Sequence, residues 1–241
     1  MKSRSILRSF GVLSGAVIGT AAVLAAATPA SAGRTYSTLT YVSDYPDVTV
    51  TYFGTEGADD VSVDIGAGDQ GRITFQVPDA SSVTIVDDVA GAPCRVDDAT
   101  TISCTKAAYD AEGSLRKVMN VSAITWGGTD KITATGFGKV YGSTYTPIVA
   151  HLGGWEGNDT ITALGGAAFI TAGDGNDRIA SGVGTANFRN SIDAGAGDDQ
   201  IDASTPQSVD GIYCRSGVDT LRRNAADVVY DQANCESVVV S

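Results

Sequence analysis

Four windows in the second half of the chain place glycine, acidic and amide residues in one order and close on an aliphatic residue: GWEGNDTIT, AGDGNDRIA, AGAGDDQID and CRSGVDTLR. Each carries an aspartate, Asp159, Asp177, Asp199 or Asp219, with Gly157, Gly175, Gly197 or Gly217 two places before it. Ile161, Ile179, Ile201 or Leu221 stands two places after. Carboxylates repeated at stacked turns repel each other. At the roughly 4.8 Å spacing of neighbouring strands, two charges cost about 1 kcal/mol in water and about 3.5 kcal/mol at an effective dielectric of 20. A hard divalent cation with six to eight oxygen ligands reverses that sign. Glycine lets turn carbonyls point inward without a Cβ clash. The chemistry on offer is therefore cation binding. Ordinary Gly/Asp/Asn turns use the same residues without an ion, but three turns in matched register exceed what a turn alone needs. An EF-hand fails, because counting from Asp174 its fifth position is Arg178 and its twelfth is Thr185, neither of them acidic.

The aspartates follow one another at intervals of 18, 22 and 20 residues. Ile170 lies nine residues from both Ile161 and Ile179, Ile192 nine before Ile201, and Ile212 nine before Leu221. The unit is thus nine residues, and alternate copies keep the aliphatic residue while losing the turn signature. The extra residues fall in SGVGTANFRN and around STPQS, which read as turn insertions. A fixed period of this kind signals a repeat architecture in which each unit buries its apolar residue by stacking on its neighbours.

These windows resemble the RTX, or haemolysin-type, nonapeptide G-G-x-G-x-D-x-U-x, where U is a large aliphatic residue. The resemblance implies a right-handed parallel β-roll, or β-solenoid, in the C-terminal half, with two nonapeptides per coil. It implies Ca2+ between stacked turns as the cofactor. Asp159, Asp177, Asp199 and Asp219 take the aspartate position, all on one edge, and Gly157, Gly175, Gly197 and Gly217 take the third glycine position. Gly154 matches a first glycine, and Gly173 and Gly195 match second ones. The carbonyls expected to face the ions belong to Glu156, Asn158, Asp174, Asn176, Ala196 and Asp198. Trp155, Ala172 and Ala194 depart from the pattern, and Cys214 and Arg215 replace both leading glycines of the last window. On the opposite edge Ala168, Asn190 and Asp210 stand in poor turn contexts. Calcium is therefore expected on one edge, at two sites, one between the Asp159 and Asp177 turns and one between the Asp177 and Asp199 turns. EGADDVSV and GGTDKIT read as weak echoes around Asp60 and Asp130. The wider pattern resembles secreted bacterial calcium-binding proteins with a β-rich N-terminal part, a cysteine-closed hairpin and a final CES cap.

The remaining sequence must supply the scaffold. DVTVTYF, DVSVDI, RITFQV and SVTIVD, between residues 47 and 87, alternate with period two and read as strands. YDAEGSLRKVMN, residues 109–120, is the best helical candidate, although Gly113 weakens it. Fold class is all-β, with a β-rich N-terminal part at 33–120, repeats at 121–223 and a C-terminal cap at 224–241. Cys94, Cys104, Cys214 and Cys235 allow three pairings. Local pairing is expected, with Cys94–Cys104 closing a hairpin over RVDDATTIS and Cys214–Cys235 closing the cap; a four-cysteine zinc site lacks any C-x2-C pair.

Residues 1–32 read as a secretory signal peptide: Lys2, Arg4 and Arg8 precede an apolar run, and Ala30-x-Ala32 offers a cleavage site. Removing it takes away three of the 16 Lys+Arg and none of the 28 Asp+Glu, leaving 13 against 28, a net charge of −15. Such a polyanion selects cations and disfavours nucleic acid and anionic membranes. No second apolar stretch is long enough to span a bilayer. The single histidine, His151, excludes an H-E-x-x-H zinc site, and no G-x-S-x-G occurs. The expectation is a secreted, non-enzymatic calcium-binding protein. Alternatives are an adhesin that uses calcium for rigidity, with a cell-wall or glycan partner, and a carbohydrate-active enzyme.

Overall fold

The computed structural model describes residues 37–240 except 45–46, 67–71, 88–92, 106, 110–114, 138–147, 183–188 and 207. The expected signal peptide and most of the SGVGTANFRN insertion lie outside the described residues. Residues 33–241 form one compact unit.

The described residues are mostly β. The first strands are β1 (Thr38–Asp44), β2 (Asp47–Phe53), β3 (Asp60–Ile65), β4 (Arg72–Gln76), β5 (Thr84–Asp87), β6 (Cys94–Val96), β7 (Thr101–Thr105) and β8 (Ala107–Tyr109). Then come β9 (Leu115–Ile124), β10 (Gly127–Gly128), β11 (Lys131–Thr135), β12 (Val149–Gly157), β13 (Thr160–Leu164), β14 (Ala168–Asp174) and β15 (Arg178–Ser181). The chain continues with β16 (Ser191–Ala196), β17 (Gln200–Ala203), β18 (Gly211–Tyr213), β19 (Thr220–Arg223), β20 (Val228–Val229) and β21 (Ser237–Val240). They build two sheets. One runs β20-β18-β16-β14-β12-β9-β2-β1-β5, and the other runs β21-β19-β17-β15-β13-β11-β3-β4-β7-β6. From β11 to β21 successive strands alternate between the sheets, and from β13 onward each pairs in parallel with the strand two places earlier.

The register explains the nine-residue period. Val61, Ile132, Ile161, Ile179, Ile201, Leu221 and Val238 are direct partners along the second sheet. Tyr52, Ala123, Leu152, Ile170, Ile192, Ile212 and Val229 form the matching column in the first. The central isoleucines are buried, each contributing roughly 1.5–3 kcal/mol through apolar burial. One column is the repeat's marked aliphatic position. The other is the position kept by the degenerate alternate units.

The N-terminal strands join the same two sheets. β2 pairs in parallel with β9, and β3 with β11. Antiparallel β4, β7 and β6 extend the second sheet beyond them, while β1 and β5 extend the first. Strand β9 runs through position 120/121, where the β-rich part was expected to give way to the repeats. All four expected strands are present; that in SVTIVD is shortened to Thr84–Asp87 by a 3-10 turn at Ala80–Ser82, N-capped by Asp79.

The helix expected over 109–120 does not form. Its described residues are Tyr109, which ends β8, and Leu115–Asn120, which begin β9. Pairing with β2 on one side and β12 on the other satisfies the β9 backbone, and this tertiary pairing overrides a helical pattern that was weak locally. Both disulfides pair locally, Cys94–Cys104 across the β6–β7 hairpin and Cys214–Cys235 at the C-terminal end.

Candidate metal centre

The Gly/Asp turns lie between strands of opposite sheets and stack because the strands do. Thr160, Arg178, Gln200 and Thr220 align after the turns, and Glu156, Asp174 and Ala196 align before them. Gly157, Gly175, Gly197 and Gly217 all have φ between 131° and 139°. A Cβ at Gly175 would overlap the Gly157 carbonyl, and one at Gly197 the Gly175 carbonyl. Glycine is thus required twice over, by backbone conformation and by the closeness of the turn below. In the last window Arg215 takes the left-handed conformation that Gly173 and Gly195 take in theirs, so the turn keeps its shape without its leading glycines.

The aspartates form a buried ladder. The backbone N–H of Asp159 donates to Asp177 Oδ1 at 2.7 Å, that of Asp177 to Asp199 Oδ1 at 2.8 Å, and that of Asp199 to Asp219 Oδ1 at 2.9 Å. Two earlier rungs and one later rung extend it. Asp59 N–H donates to Asp130 Oδ1 at 2.7 Å and Asp130 N–H to Asp159 Oδ1 at 2.8 Å. At the far end Asp219 N–H donates to Glu236 Oε2 at 2.7 Å. Asp130, Asp159, Asp177, Asp199 and Asp219 are each at most 1% exposed.

Each of these five carboxylates uses one oxygen in the ladder, and the other has no hydrogen-bond partner. The atoms are Oδ2 of Asp130, Asp159, Asp177, Asp199 and Asp219, all buried. A buried unpaired carboxylate oxygen is costly. Burial pushes Asp130, Asp159 and Asp177 up to about 6 and Asp199 up to about 7. The ladder N–H groups work against that rise, while neighbouring carboxylates add to it: Asp177 acts on Asp159, and Asp177 and Asp219 act on Asp199. Asp219 is raised as well, first by burial. The edge therefore calls for positive charge, as a proton or as a cation.

The first rung differs. Asp59 Oδ2 accepts the Thr55 N–H at 2.6 Å and the Thr55 hydroxyl at 3.2 Å, and Tyr52 donates to its Oδ1. The opposite edge differs throughout. Asn190 Oδ1 accepts the Ala168 N–H, Asp210 accepts from Ser181, Ser208 and the Asn190 amide, and Asp227 accepts the N–H groups of Asp210 and Asn224. Burial raises Asp227 too, but among the described residues the side-chain oxygens of that edge all have hydrogen-bond partners.

Among the expected carbonyl ligands, Ala196 O accepts the Gly175 N–H at 2.7 Å, and Ser216 O repeats that bond with Gly197. A carbonyl keeps a second lone pair. The side chains of Asn158, Asn176 and Asp198 make an outer, exposed rail: Asn176 N–H donates to Asn158 Oδ1, Asp198 N–H to Asn176 Oδ1 and Val218 N–H to Asp198 Oδ1, at 2.7–2.9 Å. Glu156 and Asp174 have exposed side chains beside it.

The echo placed at Asp60 is out of register by one. Asp60 is exposed and paired with Lys131 at 3.4 Å, and the rung is Asp59. Gly57 two places before Asp59 and Val61 two places after it are the signal that finds it. Glu236 has no such signal, since no glycine stands two places before it.

Cys214, Asp231 and Cys235 bring their potential ligand atoms within 4.8 Å of one another. The two sulfurs are bonded to each other, however, and the Asp231 oxygens accept the N–H groups of Cys214 and Arg215 at 2.9 Å. This cluster is a cap that holds Glu236 beneath the last turn. His151 stacks on Phe169 with ring centroids 5.1 Å apart and lies 3.4 Å from Asn120 Oδ1; burial lowers its pKa and keeps it neutral. Among the described residues no helix is long and apolar enough to cross a membrane. Comparison with protein-family models, with curated proteins and with solved structures finds no match to this chain.

Proposed function

We propose that this is an exported calcium-binding protein of the haemolysin-type repeat class, its two alternating sheets forming a β-roll that binds Ca2+ along one edge. The observation that carries the reading is the row of five buried Oδ2 atoms without partners, confined to the edge where the sequence repeats glycine and aspartate. Among the described residues the opposite edge, built on the same coils, leaves no comparable oxygen. A ligand set of carboxylate oxygens and backbone carbonyls suits a hard cation and does not suit zinc or copper. Bound there, Ca2+ would supply the positive charge that the row lacks. The two positions flanking Asp177 are the central sites, with the Asp130 and Asp219 oxygens extending the same row.

Two disulfides and the expected leader at 1–32 fit an oxidising, extracellular setting. There, millimolar calcium would complete folding after export, with site affinities of about 10⁻⁴–10⁻³ M typical of extracellular calcium modules. Isothermal titration of residues 33–241, oxidised, with Ca2+ and with Mg2+ as control, tests the reading. Saturable binding of two or more calcium ions, weakened at least tenfold in Asp177→Asn and absent with magnesium, is expected. No calcium heat up to about 10 mM, tenfold above the weak end of that affinity range, would sink it.

A further inference from the structure

We infer that the outer face of the first sheet is a glycan-binding surface that stacks neutral sugar rings on three aromatic pairs. Trp126 stacks on Trp155 with centroids 5.2 Å apart and His151 on Phe169 at 5.1 Å, both pairs drawing on β12, while Tyr213 stacks on Tyr230 at 4.7 Å beyond the intervening β16. The register puts the last two pairs on one face, and the Trp155 indole joins it by lying over Gly153 in the outward row of Tyr213. His151 pairs with Phe169 across β12 and β14, Ile212 with Val229 across β18 and β20, and inward-facing Leu152, Ile170 and Ile212 alternate with these outward residues. From β12 to β20 the face crosses four strand spacings, about 19 Å.

Three features set this face apart from incidental cross-strand packing. Trp155, Phe169 and Tyr230 remain 46%, 50% and 57% exposed although each already has a stacking partner, so ring surface is left for a ligand. Glycines lie beneath two of the rings: a Cβ at Gly153 would come 3.3 Å from Trp155 Nε1, and one at Gly211 would come 3.0 Å from a Tyr230 ring carbon. The rings therefore lie down on the sheet as flat platforms. Finally, Trp155 has φ 75° in a turn position where Gly173 and Gly195 stand in the next two coils. A bulky residue held there is strained, and such strain persists where it serves a function.

The polar groups between the platforms fit a polyhydroxylated ligand. Thr171 and Asp193 occupy the same outward row as Gly153 and Tyr213. Arg215 lies 4.6 Å over the Tyr213 ring and is anchored to both Asp193 oxygens, which neutralises its charge locally. The mature net charge of −15 opposes an anionic polymer or lipid. A neutral polysaccharide, with apolar ring faces and hydroxyl edges, matches both features. The inference needs no calcium ligand.

Both tryptophans of the chain lie in this surface, so their fluorescence is a direct reporter. Oxidised residues 33–241 in excess calcium would be titrated with hexasaccharides of β-linked glucose, N-acetylglucosamine and xylose, with calorimetry in parallel. At least one is expected to bind saturably. Trp155→Gly should weaken that binding tenfold or more while the melting temperature stays equal or rises, because glycine relieves the left-handed backbone; unfolding therefore cannot mimic the result. Undiminished binding in Trp155→Gly, or no response to any of the three sugars, overturns the inference. So does a response only to zwitterionic phosphatidylcholine vesicles. Phe169→Ala, outside the Gly/Asp turns, should also weaken sugar binding while its calcium titration matches the parent, which separates failure of this inference from failure of the calcium reading.

Discussion

At the residue scale, a single carboxylate such as Asp177 does two separable jobs. Its Oδ1 accepts the Asp159 N–H, and its Oδ2 is buried without a partner. Asp177→Asn keeps the acceptor and removes the charge. In chelator it should be as stable as the parent or more so, while calcium affinity drops by at least tenfold. Asp177→Ala also removes the acceptor and orphans a buried N–H, so in chelator it should lose about 1–3 kcal/mol. Urea denaturation of both variants with and without calcium checks the pair; equal destabilisation of the two in chelator would show that charge at Oδ2 is not the relevant strain. Gly175→Ala tests the backbone beside it. With φ at 136° and the Gly157 carbonyl in the way, a cost above the roughly 1–3 kcal/mol of an ordinary strained backbone position is expected, with or without calcium. Much of this was legible in the sequence, because glycine two places before the aspartate and an aliphatic residue two places after it mark the rung. Asp59 obeys the same rule but sits beside Asp60, and adjacent aspartates invite a one-residue slip that only the ladder resolves.

The elements show what spacing alone could not. Period-two alternation identified β2, β3 and β4, and β3 and β4 alternate between a buried and a more open face. Strand β9 escaped because Leu115, Val118 and Val121 recur every third residue, and a recurrence of three fits a helix face as well as a strand. Its identity is decided by partners some seventy residues before it and some thirty after it. The role of Glu236 within the expected C-terminal cap escaped for a related reason. Glu236 completes the ladder without the repeat signature, reaching the Asp219 N–H from a segment fixed by Cys214–Cys235. An end coil of a stacked array needs such a cap. Glu236→Gln, which keeps the acceptor, should leave β19 protected. Glu236→Ala should speed amide exchange at Asp219 and Thr220 by roughly tenfold, the kinetic equivalent of about 1.4 kcal/mol, with no effect at Asp130. Uniform exchange changes along the ladder would instead mean that the coils open together and the cap is not a separate unit.

For the whole molecule, the ladder should make stability fall with rising pH in the absence of calcium and not in its presence. In chelator the folded-state values near 6 for Asp130, Asp159 and Asp177 and near 7 for Asp199 lie above the roughly 3.9 of an unfolded aspartate. Between about pH 4 and pH 7 the folded protein therefore binds more protons than the unfolded chain, and its stability falls as pH rises. With calcium saturating the edge, ligation favours the charged carboxylates and their folded-state values drop below the unfolded ones. Stability should then rise with pH only up to about pH 5 and stay level above it, and calcium affinity should weaken as pH falls from about 7 to 5. His151 acts in the reverse sense to the ion-free ladder, because burial keeps it neutral, but it contributes equally with and without the ion and cancels in the comparison. Asp79, Asp97 and Asp98, whose values are lowered chiefly by side-chain and backbone hydrogen bonds, titrate below this window. Melting temperatures measured at half-unit steps from pH 4 to 8, in chelator and in 10 mM calcium, should give two curves that diverge with rising pH. Parallel curves would mean that calcium does not neutralise this edge, and the unpartnered oxygens would then have to be held by protons.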